Sequence, residues 1–159
     1  MARHRIDELV RILNRSFDDS SHSLLANLAT VTEQEWDVLP RGARRSIRSM
    51  TLHVGWAKYI YANHSFRDAS MAYVDPPANP PKGRLATPAT ATEWLKEAHA
   101  YLIKAIDELP DDAELERPRK AHWGEMVPTL FLIDTMHEHD VYHAGEINKT
   151  RALLQDDDK

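Results

Sequence analysis

Two histidines, His139 and His143, lie four residues apart in the segment MHEHDVYHAGEIN (Met136 to Asn148). At about 100° per residue a helix brings positions i and i+4 to one face, one turn apart, where two imidazoles can share one ion. On that wheel Leu132, Met136, His139, His143, Ile147, Thr150 and Leu154 fall together, so the two rings interrupt an otherwise apolar stripe. A single histidine on such a stripe is ordinarily a core residue with hydrogen-bonded nitrogens. Two make that reading harder, because each ring must find its own partners away from water. A third, His53, sits on another inward stripe between Met50 and Ala57. Where the two stripes face each other, three neutral imidazoles can meet.

Such a set suits zinc, nickel, cobalt or iron. Three protein ligands leave a coordination position open for water or substrate, whereas a structural zinc is usually closed by four. Two known templates do not fit. Val141 stands where an HExxH motif starting at His137 would need its second histidine. No Glu is followed three residues later by His, as a ferritin-like di-iron bundle requires. A mononuclear site remains. The chain has no cysteine, so it offers neither a thiol nucleophile nor a disulfide, and thiol chemistry must use a thiol brought in from outside. Glu146 falls within the inward arc beside the histidine pair, where it can accept a proton from a bound nucleophile or fix a ligand histidine. Pairing with Lys149, Thr150 or water is the plain alternative.

The other candidates carry less. His64 lies about three turns from His53, too far for the same ion. His4, His22 and His99 have polar surroundings and read as solvated, and His122 as a surface residue near a rim. Asp140, Glu138 and His137 are expected to point away from the site and solvate the helix. The run RGARRSIR, Arg41 to Arg48, reads as a solvated loop that could also hold carboxylates of a ligand. Trp56 and Trp94 are expected in core or interface. Trp36 and Trp123 are expected in loops, where they could rim the open end.

The elements that must position these residues are four helices. The first is expected over Arg5 to Ala29, followed by a Thr32/Glu35-capped turn and a break at Pro40 and Gly42. The second is expected over Ser46 to Phe66. The third, opened by a Thr90/Glu93 capping box, covers Thr92 to Leu109. The fourth opens near Pro128 and runs to about Leu154. Between the second and third lies a proline-rich stretch, Arg67 to Ala89, long enough to run back along a helix of about 30 Å. That makes helices two and three parallel. Asp111 to Glu125 reads as a polar loop, and QDDDK at the end as a frayed tail. The fold class is all-α: one domain over residues 1–159, a four-helix bundle with a long crossover between helices two and three.

At 159 residues with net charge −5, the composition is globular. It excludes a wholly disordered chain and argues against a general nucleic-acid binder. No apolar run reaches the about 20 residues of a membrane span, and no signal segment opens the sequence, so the expected setting is cytoplasmic, with no membrane partner. The aromatics Trp56, Tyr59 and Tyr61, read as exposed on the second helix, suggest a homodimer.

Taken together, His53 in SIRSMTLHVGWAKYIYANHSF, the signature HDVYHAGEIN (His139 to Asn148) and the four-helix spacing resemble the DinB-like superfamily of helical metal proteins. The resemblance spans essentially the whole chain. It implies an up-down-down-up bundle and one divalent metal ion held by His53, His139 and His143. Zinc or nickel come first, with iron or manganese also open. Glu146 stands where the family signature often has Gln. The resemblance further implies a small-molecule substrate and a low-molecular-weight thiol cosubstrate, since characterised relatives are metal-dependent thiol transferases or isomerases using mycothiol or bacillithiol. A small-ligand binder without turnover, and a bundle in which the metal is only structural, are the two competing readings.

Overall fold

The computed structural model describes residues 2–155; four residues of the acidic tail, 156–159, lie outside the described residues. In chain order the elements are α1 (His4–Phe17), α2 (Leu24–Leu28), α3 (Ile47–Phe66), α4 (Pro88–Asp107), β1 (Pro118–Lys120), β2 (Met126–Pro128) and α5 (Thr129–Gln155). The fold is an all-α bundle of four long helices, α1, α3, α4 and α5.

Their directions follow from which residues meet. Going up α3, Gly55 and Tyr59 face Trp94, Tyr59 also faces Tyr101, and Arg67 reaches Glu108. Both residue numbers rise together, so α3 and α4 are parallel, as the crossover requires. His53 meets His143 while Lys58 meets Asp140, so α5 runs against α3. Arg3 reaches Asp107 while Phe17 lies on His99, so α1 runs against α4. The order is up-down-down-up. The α3–α4 seam is close enough that a Cβ on Gly55 would collide with the Trp94 ring. That glycine is required by packing rather than by backbone conformation.

Three expectations about local structure are corrected. The first helix does not reach Ala29: it stops at Phe17, and Ser23 caps a separate short helix by accepting from Ala26 N. The intervening DDSSHS offers side-chain acceptors that compete with helical hydrogen bonding. The cap of α4 is Thr87 with Thr90, not Thr90 with Glu93, so the helix begins at Pro88, a residue suited to a first turn. The polar loop before α5 contains a small antiparallel hairpin pairing Pro118–Lys120 with Met126–Pro128, and Pro128 ends its strand instead of starting the helix.

Tryptophans hold the crossover to the bundle. Trp56 Nε1 donates to Tyr73 O at 3.0 Å, Trp94 Nε1 to Pro77 O at 3.0 Å, and Trp36 Nε1 to Leu85 O at 2.9 Å. Trp36 is therefore buried, contrary to its expected place at a rim. Tyr59 and Tyr61 are buried as well, which removes the exposed aromatic face that suggested a homodimer.

The apolar core falls into two clusters. One gathers Ile47, Met50, Val54, Trp94 and Ile147. The other gathers Ile6, Leu13, Leu102, Ile106, Leu132 and Met136. The bundle also carries a chain of polar contacts drawing on all four long helices, in which Lys58, His99 and Asp140 are buried and Asn14 is exposed. Lys58 Nζ and Asp140 Oδ2 are 2.6 Å apart, each side chain 1% exposed. Lys58 Nζ also lies 5.1 Å from the Phe17 ring centre. Phe17 stacks on His99 at 3.8 Å, and His99 Nε2 meets Asn14 Oδ1 at 2.9 Å. Asp140 and His99 were expected in solvent; both are buried, because each points across a helix seam toward a polar partner.

Candidate metal centre

His53 comes from the middle of α3, held at its start by Ser46, whose hydroxyl caps the helix by accepting from Ser49 N. His139 and His143 come from successive turns of α5. The antiparallel α3–α5 contact brings the three together. Their ring centres lie 5.0 Å (His53–His139), 4.9 Å (His53–His143) and 4.4 Å (His139–His143) apart. One nitrogen of each lies within 4.8 Å of the others. The Nε2 atoms of His53 and His139 are 3.1 Å apart. Two nitrogens each 2.0–2.1 Å from one tetrahedral ion would be about 3.3 Å apart, so this spacing fits a shared cation.

The third ring is oriented by a carboxylate. His143 Nδ1 donates to Glu146 Oε2 at 2.7 Å, which leaves its Nε2 lone pair available. Tyr142 Oη donates to the other oxygen of Glu146 at 3.4 Å. Nδ1 of His139 is buried and without a partner among the described residues.

Burial makes the imidazoles prefer the neutral form. It pushes His139 down to about 3, with the neighbouring His143 and His53 adding to the shift. It pushes His53 down to about 4, with Arg45 adding to it. His143 is lowered by burial too, but the Glu146 hydrogen bond opposes the shift. Neutral imidazole is the metal-binding form. The donor set therefore fits a divalent ion.

The rings do not face a sealed interior. They form the floor of a cavity of about 870 Å³, walled by Met50, Tyr142, Glu146, Thr150 and the Arg41–Arg45 turn. Of the other histidines, His64 is bound to Met71 O at 2.8 Å and takes no part. His4 and His22 are exposed, as expected. His122 is half-buried among Tyr61, Trp56 and Tyr73, not at the surface. Trp123 is exposed.

Sequence reasoning missed the Lys58–Asp140 pair, whose carboxylate adjoins His139 in the chain. A signal was present. Val54, Lys58 and Ala62 follow at four-residue steps, as do Met136, Asp140 and Ala144, and each charge is flanked on both sides by buried apolar residues. Burial lowers the Lys58 amine and raises the Asp140 carboxyl, and each charge opposes the other's shift.

A helical bundle with an open three-histidine cluster defines a class, that of helical proteins able to bind a metal. Within that class the chain belongs to the DinB superfamily, whose family model matches residues 16–147. Its fold is similar to the crystal structure of a conserved protein from Enterococcus faecalis, with a TM-score of 0.70 and 16% identity over 99% of this chain and 100% of that one. At that identity the likeness speaks for the fold. No curated protein matches the chain. Among the described residues, no helix is long and apolar enough to cross a membrane.

Proposed function

We propose that this protein is a metal-dependent enzyme that activates a thiol or a water molecule at a mononuclear site held by His53, His139 and His143. The observation that carries this reading is that the three neutral rings converge on the floor of an open cavity. A purely structural metal would be expected in a closed site with four protein ligands. A bound divalent ion, zinc or nickel foremost, supplies a Lewis acid that makes a thiol or water beside it acidic near neutral pH.

The chain's own residues do the rest. Glu146 Oε2 holds His143 in one tautomer and orientation. Glu146 lines the cavity, and its other oxygen can accept the proton that the nucleophile gives up. In thiol transfer, the S–H proton goes to that carboxylate and sulfur forms a bond to an electrophilic carbon of the small-molecule substrate. The leaving group departs with its bonding pair and takes the proton back. With no cysteine in the chain, the sulfur must belong to a low-molecular-weight thiol cosubstrate. A second copy of the chain, if one pairs, would have to use other apolar residues, such as the exposed Phe131, Val141 and Leu153 of α5.

The test has two parts. Elemental analysis of protein purified without a nickel column should find about one divalent ion per chain, and a large loss in His139→Ala. Metal-loaded protein incubated with low-molecular-weight thiols and electrophiles should then consume thiol in a metal-dependent way. Equal metal in both proteins removes the site. Full metal with no consumption across a broad panel replaces the enzyme by a binding protein.

A further inference from the structure

Part of the wall of the cavity that holds the imidazoles is cationic although the chain as a whole carries −5. Arg41, Arg44, Arg45 and Lys149 line it, against one carboxylate, Glu146, which is turned toward His143. Most arginines elsewhere are tied down, among them Arg3 to Asp107, Arg48 to Asp37, Arg84 to Glu97 and Arg119 to Glu114. Arg41, Arg44 and Arg45 are exposed and have no hydrogen bond or ion pair with any described residue. Their backbone is nevertheless held in place. Gly42 turns the chain at φ +87°, where a side chain would be strained, and Ala43 N donates to Pro40 O at 3.0 Å. Just beyond the turn, Ser46 Oγ donates to Asp37 Oδ1 at 3.1 Å and Arg48 N to Trp36 O at 2.9 Å. An anchored turn that presents unpaired guanidinium groups to a cavity has the form of an anion clamp. Arg45 lines the same cavity as all three imidazoles. The volume of about 870 Å³ is that of a small-molecule pocket.

We infer that this cavity takes a small molecule bearing a carboxylate or phosphate group, which Arg41, Arg44 and Arg45 hold at the mouth while its other end lies against the histidines. The inference rests on the proposed metal site only for what that other end does.

Cobalt-loaded protein tests both ends, because a thiol that reaches the ion gives a sulfur-to-cobalt charge-transfer band. The probes are 2-mercaptoethanol (neutral), mercaptosuccinate (two carboxylates) and 2-mercaptoethyl phosphate. At low salt at least one anionic thiol should bind about tenfold more tightly than the neutral one, and the better of the two identifies the anion. That advantage should fall to about threefold or less in Arg44→Gln/Arg45→Gln and in about 0.5 M salt, where exposed charges are screened. It should persist in Arg15→Gln, an exposed arginine that does not line the cavity. Equal affinity for neutral and anionic thiols, or an advantage that survives the double variant, overturns the inference. If no thiol gives a band, the proposed function fails instead. The clamp is then read on metal-free protein with succinate and inorganic phosphate at about 10 mM by amide chemical shifts. Shifts over residues 41–45 that vanish in the double variant support it, and their absence overturns it.

Discussion

Two polar groups share the α3–α5 seam, with Asp140 of one standing between His139 and His143 of the other along α5, and they are built in opposite ways. The Lys58–Asp140 pair is sealed, with charge meeting charge at 2.6 Å and Phe17 closing one side. The His53–His139–His143 group is made of neutral rings that each turn one nitrogen toward the others, beside a cavity. Unpaired polar atoms in a closed interior are destabilising; Lys58 Nζ and Asp140 Oδ2 answer each other, while Asp140 Oδ1 is buried without a partner among the described residues. The histidines face space in which a ligand can satisfy them. The difference separates a polar group that specifies how helices fit from one shaped to bind.

The sharpest way to break this contrast is to remove half of the sealed pair. Asp140→Asn should destabilise the fold by about 3–5 kcal/mol in chemical denaturation, because Lys58 then remains buried without its counter-charge. Lys58→Met/Asp140→Leu should recover much of that loss. If the single and double variants are equally unstable, the pair is not the closed unit described here.

At the open group the effect should move from stability to binding. His53→Ala should lower divalent-metal affinity by more than about a hundredfold, beyond the loss expected for a residue that only orients a ligand. The metal-free fold should change less than on removing half of the sealed pair, since His53 is only partly buried. A competition titration with a chelating dye, alongside denaturation of the metal-free protein, reads both. A smaller change is expected for Glu146→Gln. Its amide holds His143 less strongly, so metal affinity should drop about 10- to 100-fold while stoichiometry stays near one.

A further effect is expected in acid. His53 and His139 are lowered to about 4 and about 3, and His99 to about 2, chiefly by burial. Below their ordinary value near 6.5, the unfolded chain takes up protons at these rings that the folded chain refuses. Stability of the metal-free protein should therefore be flat above about pH 6.5 and fall from there toward pH 3. His99→Gln should make that fall shallower without altering metal binding. An unchanged acid limb would show that His99 does not contribute to it.

Much of this was legible in the chain. The i and i+4 spacing of His139 and His143 on an apolar stripe, with His53 on another, is a statement about periodicity, and periodicity survives folding. The long proline-rich crossover likewise implied that α3 and α4 run in parallel. Other features were not legible for a common reason. Asp140 and His99 looked like solvated polar residues because their partners, Lys58 and Asn14, lie 82 and 85 positions away. Tyr59 and Trp36 looked exposed because only packing against α4 and the crossover covers them. The early end of α1 at Phe17 shows local turn chemistry overriding a stripe that continues past it.

The sequence by itself determined which side chains face inward and which chemistry they can offer, because helical pitch converts spacing directly into facing. Only the tertiary structure decided which inward groups meet. It sealed Lys58 against Asp140, turned Glu146 to His143 and laid the Arg41–Arg45 turn beside the histidines. Those outcomes depend on the offset and direction of helices joined by long connections, and no local spacing encodes an offset.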